Sequence, residues 1–206
     1  MNGNPTPAPP LPPGALPPKK GMSTGCIVAL AVGIPAIIVL LVITVIAVLA
    51  AISVPAGVAV IKKARDLQVK SQLKGAQLAT MGYKVEYSKF PRQADLTSDL
   101  DVLETDGSLI PILIGASKSE NPREIQFFDV TPSVDGKTGG TTDAHGNLEL
   151  RDQWGSYYRL QVDVDGDGQI PDPEHPGGFV TGTVIVYSSG PDGNPATWGD
   201  NLVSWK

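Results

Sequence analysis

The sequence predicts an α+β protein in which a long N-terminal transmembrane helix continues into a helix that packs on a small antiparallel sheet. Three observations indicate this class. Residues 26–61 form an apolar run without charge, residues 62–90 carry apolar side chains at helical spacing, and residues 91–206 hold short apolar segments separated by turns. Residues 62–206 are enough for one domain with a modest core and too few for two.

The first element, residues 1–25, is a Pro-rich tail. Eight prolines and no charged residue occur between residues 1 and 18. Such a composition cannot bury a core and populates the polyproline II conformation. We therefore expect flexible chain before the first helix.

The second element, residues 26–61, consists mainly of Val, Ile, Leu and Ala. About 20 consecutive apolar residues suffice to span a bilayer, and this run is longer. A helix buried in a soluble domain would carry a polar face, and this segment has none. Pro35 and Pro55 bracket an uninterrupted core, residues 36–54. The prediction is a single transmembrane helix.

The third element, residues 62–90, is predicted to be the soluble continuation of that helix. It opens with the basic run Lys62 to Arg65, and Phe90-Pro91 ends its pattern. Its apolar residues recur at steps of three, four or their sum, which is helical spacing that would place them on one face toward the core. These residues are Val69, Leu73, Ala76, Tyr83 and Tyr87.

The fourth element, residues 91–206, is predicted to be a β-rich domain with Gly- and Asp-containing loops. Turn chemistry, such as His145-Gly146-Asn147, separates its apolar or alternating runs, which favours antiparallel strands. The predicted strands are residues 109–114, 125–130, 148–150, 157–164 and 180–187.

Charge and residue inventory argue against two classes of function. Two of the 16 Lys and Arg precede residue 62 and all 21 Asp and Glu follow it, so residues 62–206 carry a net charge of −7. This acidity argues against a nucleic-acid partner. His145 and His175 lie in loops rich in Gly and Pro, Cys26 is the only cysteine, and no catalytic motif occurs. We predict neither an enzyme nor a small-molecule substrate.

Three regions resemble the type IV pilin and pseudopilin family. Leu-Ala-Ala-Ile-Ser-Val-Pro at residues 49–55, followed by basic residues 62–65, looks like the family's N-terminal helix. Asp-Gln-Trp-Gly-Ser-Tyr-Tyr at residues 152–158 is similar to the Asp-Pro-Trp-Gly-x-Pro-Tyr segment of the major pseudopilin of type II secretion. Tyr-Ser-Ser-Gly-Pro-Asp-Gly at 187–193 and Asp-Asn-Leu-Val-Ser-Trp at 200–205 resemble its C-terminal Ser-Leu-Gly-x-Asp-Gly loop and terminal Asp-Ile-x-x-Trp.

The resemblance implies a pilin-like fold and a membrane-anchored structural protein of a type II secretion or type IV pilus-like assembly. The N-terminal helix would associate with copies or other pseudopilins into a filament. The protein would cross the bacterial inner (cytoplasmic) membrane once, with a periplasmic or extracellular C-terminal domain. By the family's spacing a prepilin peptidase would cleave between Gly33 and Ile34, although Ile38 stands where the family has a glutamate.

The C-terminal loop is the first candidate metal site. Asp192, Asp200 and the side-chain oxygen of Asn201 are hard oxygen ligands of the kind that calcium accepts. The resemblance implies a calcium ion here, with Ser189 contributing its carbonyl. Asn201 replaces an aspartate of the family, which removes one charge from the site. The alternative is that the loop is only a turn.

Asp163, Asp165 and Asp167 are the second candidate metal loop. Carboxylates at alternate positions followed by glycine resemble the first half of a calcium loop, and Glu174 occupies the twelfth position. However, Pro171 lies where the second helix of an EF-hand would start, and Asp-Gly-Asp-Gly is ordinary turn chemistry. We favour a hairpin turn over a calcium loop.

A second function fits the departures from the family. An uncleaved, membrane-anchored extracytoplasmic binding module that recognises a surface ligand, such as a glycan, would explain Ile38 and the retained Pro-rich tail. Self-association through the helix distinguishes the two functions, because a lone receptor would not show it.

Overall fold

The structure, a computed structural model, describes residues 24–206 apart from the side chains of residues 24–34, 50 and 52–59. The chain divides into two compact units, Met1–Ala56 and Gly57–Lys206. Helix α1, Thr24–Tyr87, contributes to both. The predicted Pro-rich tail lies, up to residue 23, outside the described residues, and its last two residues are already helical.

In the first unit the described apolar side chains of α1 are exposed. Ten Ile, Val and Leu residues between Ile37 and Val48 keep between 48% and 65% of their surface accessible. Within residues 24–206, as far as they are described, no helix is long and apolar enough to cross a membrane.

This finding overturns the predicted transmembrane helix over residues 26–61. The predictions that depended on it, single-pass anchoring in the bacterial inner membrane and a periplasmic or extracellular C-terminal domain, are corrected with it. The α+β class itself is confirmed by helix α1 and a small antiparallel sheet.

The second unit places a four-stranded antiparallel sheet beside two hairpins and a short helix. The sheet has the strand order β1-β4-β7-β8, and the pairs β2–β3 and β5–β6 form separate hairpins. The elements are β1 Leu103–Glu104, α2 Ile110–Leu113, β2 Gly139–Thr142, β3 Leu148–Arg151, β4 Arg159–Val162, β5 Gln169–Pro171, β6 Phe179–Thr181, β7 Val184–Ser188 and β8 Leu202–Val203.

Two of the five predicted strands are wrong. Residues 110–113 form α2, because the Asp106 side chain accepts the Ser108 and Leu109 amides just before it and Pro111 is compatible with a first helical turn. Residues 125–130 form no strand, and the amides of Phe127 and Phe128 both donate to the Leu113 carbonyl. The other three predictions overlap β3, β4 and β6–β7.

The core lies between α1 and the four-stranded sheet. Four of the five predicted stripe residues are fully buried, namely Val69, Leu73, Ala76 and Tyr83, and Tyr87 is partly buried against the same core. Gln77 Nε2 donates to the Val184 carbonyl at 2.6 Å and so ties the helix to β7. The stripe packs with the inward residues of β4 and β7, which are Leu160, Val162, Val184 and Val186.

Candidate metal centre

The C-terminal loop joins β7 to β8 and folds its two arms against each other. The Asp192 amide donates to Asp200 Oδ2 at 3.3 Å. Gly190 has φ +66°, and a Cβ there would lie 2.4 Å from the Asp200 carbonyl oxygen, so only glycine permits this approach. Ser189 is 1% exposed. The structure therefore brings Ser189 and Asp192 to the arm that carries Asp200 and Asn201.

Two oxygens in this loop are buried without a hydrogen-bond donor among the described residues, Asp200 Oδ1 and Asn201 Oδ1. The Asn201 amide nitrogen donates to the Pro195 carbonyl at 3.0 Å, which fixes which end of the side chain is the oxygen. A buried acceptor without a donor costs about 1–3 kcal/mol. The oxygens of Asp192, Asp200 and Asn201 and the Ser189 carbonyl are hard donors of the type that calcium accepts, so the donor set fits that ion.

The buried carboxylate of Asp152 is linked to the C-terminal loop by hydrogen bonds through Ser188. Its Oδ1 accepts the amides of Trp154 and Ser156 at 2.9 Å each, and its Oδ2 accepts the Ser188 hydroxyl at 2.6 Å. The Ser188 oxygen in turn accepts the Gly190 amide at 3.1 Å. Burial raises the pKa of Asp152 above its ordinary value, although these hydrogen bonds oppose the rise. Two segments far apart in sequence thus form one hydrogen-bonded unit.

The second candidate loop, Asp163 to Asp167, gains a carboxylate that sequence reasoning missed. Asp99 joins Asp163, Asp165 and Asp167, and one ligand atom from each lies within 4.8 Å of the others. Asp99 Oδ1 also accepts the Val164 amide at 2.6 Å. No local pattern around Asp99 indicated this, because the contact joins residues more than 60 positions apart.

Within this loop the carboxylates are engaged by backbone amides. Asp163 accepts the amides of Gly166 at 2.7 Å and Gly168 at 3.1 Å, and both glycines have positive φ. The loop leads into β5, which pairs with β6 rather than with β4, so it is a turn but not the predicted hairpin turn. A strand follows where an EF-hand would have its second helix.

The remaining predicted site residues lie elsewhere. Glu174 groups with Asp172 and His175, and its carboxylate is bound by Lys206. Gly33 and Ile34, the candidate processing site, lie within α1, and their side chains lie outside the described residues. Comparison of the chain with protein-family models, curated proteins and solved structures gives no match.

Proposed function

We propose that the chain is a structural subunit that assembles with copies of itself into a filament, as pseudopilins of a type II secretion or type IV pilus-like machine do. One observation supports this most strongly: α1 exposes apolar side chains over residues 37–48. Contiguous exposed apolar surface marks an interaction site. Because this segment has no polar face, partners would cover it from several sides, and copies of the same helix supply such partners.

Assembly through this segment is tested by placing charges in it. Ile43 and Ile46 are 58% and 60% exposed, so Ile43→Asp/Ile46→Asp should leave the core of the second unit intact. Burying unpaired carboxylates at an interface costs several kcal/mol, which predicts association weakened by about 100-fold or more. Sedimentation velocity measures the change.

The matched control places the same charges further along the same helix. Leu78 and Val85 are 66% and 84% exposed, and Leu78→Asp/Val85→Asp should assemble like the wild type. Equal assembly of the Ile43/Ile46 variant and the wild type would refute a role for residues 37–48. Equal loss in both variants would show only a general effect of added charge.

Calcium binding at the C-terminal loop is the second part of the proposal. The unpartnered oxygens of Asp200 and Asn201 support it, because an ion there would remove their unsatisfied burial. Since the ion would hold the arms of residues 189–192 and 200–201 together, it would stabilise the folded second unit and hence the subunit that assembles.

Thermal unfolding with and without calcium tests this part. At a free concentration 100-fold above Kd, an ion that binds only the folded state adds about 2.7 kcal/mol. For a unit of this size that raises Tm by about 5–10 °C. Asp200→Ala and Asp192→Ala should abolish the shift, whereas Asp165→Ala in the second loop should keep it. A shift that survives Asp200→Ala but is lost with Asp165→Ala would show that the ion binds the second loop and would contradict a site in the C-terminal loop.

The alternative, a binding module for a surface ligand, has one supporting feature. A cleft of about 380 Å³ is lined in part by Lys137, Glu149, Arg151 and Trp154. However, Glu149 accepts hydrogen bonds from Arg151 Nε at 2.7 Å and from the Tyr157 hydroxyl at 2.5 Å. The charged groups of Glu149 and Arg151 in this cleft are therefore already paired with each other. A wild-type chain that stays monomeric would favour this module.

A further inference from the structure

A groove beside α1 in the second unit combines apolar walls with two cations. Ile61, Lys62, Arg65, Trp154 and Pro191 line about 450 Å³ of open space. Neither cation forms an ion pair within the part of the chain that the structure describes. We call these five residues the basic patch. Its chemistry suits a partner that presents apolar side chains among carboxylates.

A surface of that kind exists on the same molecule. Leu100 and Phe179 are 67% and 63% exposed, and they line a cleft of about 380 Å³ together with Asp99, Asp165 and Asp167. None of these three carboxylates forms an ion pair among the described residues. We call these five residues the acidic patch. Like charges this close favour a cationic partner.

The two patches lie at opposite ends of the sheet. Strand β4 begins at Arg159, opposite Tyr187 of β7, and ends at Val162, opposite Val184. Trp154 precedes β4 and Pro191 follows β7, which puts the basic patch at the end where β4 begins. Asp165 and Asp167 follow β4, and Phe179 lies on β6 just before β7, which puts the acidic patch at the other end.

Helix α1 also runs from the end of the sheet with the basic patch toward the end with the acidic patch. Arg65 belongs to the basic patch, and twelve residues later Gln77 donates to the Val184 carbonyl, at the acidic end of β7. Twelve residues of α-helix rise about 18 Å. The patches are therefore separated along the axis of the helix and share no residue.

We propose that the acidic patch of one copy docks on the basic patch of the next. Leu100 and Phe179 would cover the groove between Ile61, Trp154 and Pro191, while the carboxylates would pair with Lys62 and Arg65. Complementary charge of this kind fixes partner and register. Because the two surfaces differ and lie at opposite ends, the contact is heterologous and continues from copy to copy along the helix axis. This inference rests on the proposed self-assembly and specifies one of its contacts.

Charge reversal tests the pairing on the full chain, by sedimentation velocity at one fixed calcium concentration. Lys62→Glu/Arg65→Glu and, separately, Asp165→Lys/Asp167→Lys should each raise the dissociation constant of assembly about tenfold or more. A 1:1 mixture should restore assembly, because each reversed patch meets its opposite on the other variant. Lys118→Glu, on a side chain 81% exposed outside both patches, is the control and should assemble normally.

The outcomes separate this inference from the proposed function. Unchanged assembly of Lys62→Glu/Arg65→Glu, whose substitutions lie on exposed residues outside the core, would overturn the docking of the two patches and leave self-assembly standing. Loss in each variant without recovery in the mixture would also overturn the pairing. A wild-type chain that never assembles would overturn the proposed function itself.

Discussion

Replacing Leu73 with alanine is expected to lower the free energy of unfolding by about 2–5 kcal/mol. Leu73 is fully buried in the stripe that α1 lays on the sheet. Truncation would remove its apolar contacts and leave a cavity, because the flanking stripe residues Val69 and Ala76 are fixed on the same helix. Urea denaturation of the full chain measures the loss.

The matched control is Leu78→Ala in the same helix. Leu78 is 66% exposed, so its truncation should change the free energy of unfolding by no more than about 0.5 kcal/mol. The pair holds residue type and helix propensity constant and varies only burial. Similar losses from both substitutions would contradict the docking of this helix face on the sheet.

Asp152→Ala is expected to cost about 3–5 kcal/mol. The substitution would leave three donors without an acceptor, the part-buried amides of Trp154 and Ser156 and the buried hydroxyl of Ser188. Because Ser188 also accepts the Gly190 amide, the C-terminal loop should loosen and its calcium affinity should fall. Chemical denaturation and calcium titration of the same variant measure both effects.

Asp152→Asn is the control that separates hydrogen bonding from charge. The Oδ1 of the new side chain can still accept the amides of Trp154 and Ser156, and its Nδ2 can donate to the Ser188 oxygen. The Ser188 hydroxyl proton would lose its acceptor, so the expected loss is about 1–3 kcal/mol, smaller than that of Asp152→Ala. An asparagine variant as unstable as the alanine variant would contradict the hydrogen-bonded arrangement around Asp152.

The wild type and Asp152→Asn should also differ in pH dependence. Burial raises the pKa of Asp152, so over the range between its ordinary value of 3.8 and the raised value the folded state binds more protons than the unfolded chain. The contribution of Asp152 to stability therefore falls as pH rises through that range, whereas an asparagine side chain does not titrate and has no such dependence. As pH rises through that range, the free energy of unfolding of Asp152→Asn should increase relative to that of the wild type. Above that range the difference between the two should stay constant.

Periodicity predicted the parts of the fold that repeat along the chain. Val69, Leu73 and Ala76 are spaced so regularly that one face of a helix is the natural interpretation, and all three are buried. The predicted strand over residues 109–114 is wrong because Ile and Leu on both sides of Pro111 suit a strand as well as a helix. The turn that Asp106 forms with the Leu109 amide just before α2 and the position of Pro111 in the first helical turn favour the helix, and neither follows from the hydrophobic pattern.

The candidate site was predictable where its residues share one loop. Asp192, Asp200 and Asn201 are close in sequence, and the structure brings them together with Ser189. Contacts across the fold were not predictable in this way. Asp99 reaches the Asp163 loop, and Asp152 reaches Ser188, only because β4 lies between β1 and β7 in the sheet.

Sedimentation velocity of the wild-type full chain over a range of concentrations tests the central claim, self-assembly into a filament, most directly. The account predicts that the mean mass rises with concentration without reaching a fixed value, because contacts between opposite ends of successive copies extend a filament instead of closing a ring. A single monomeric species at every concentration would contradict it.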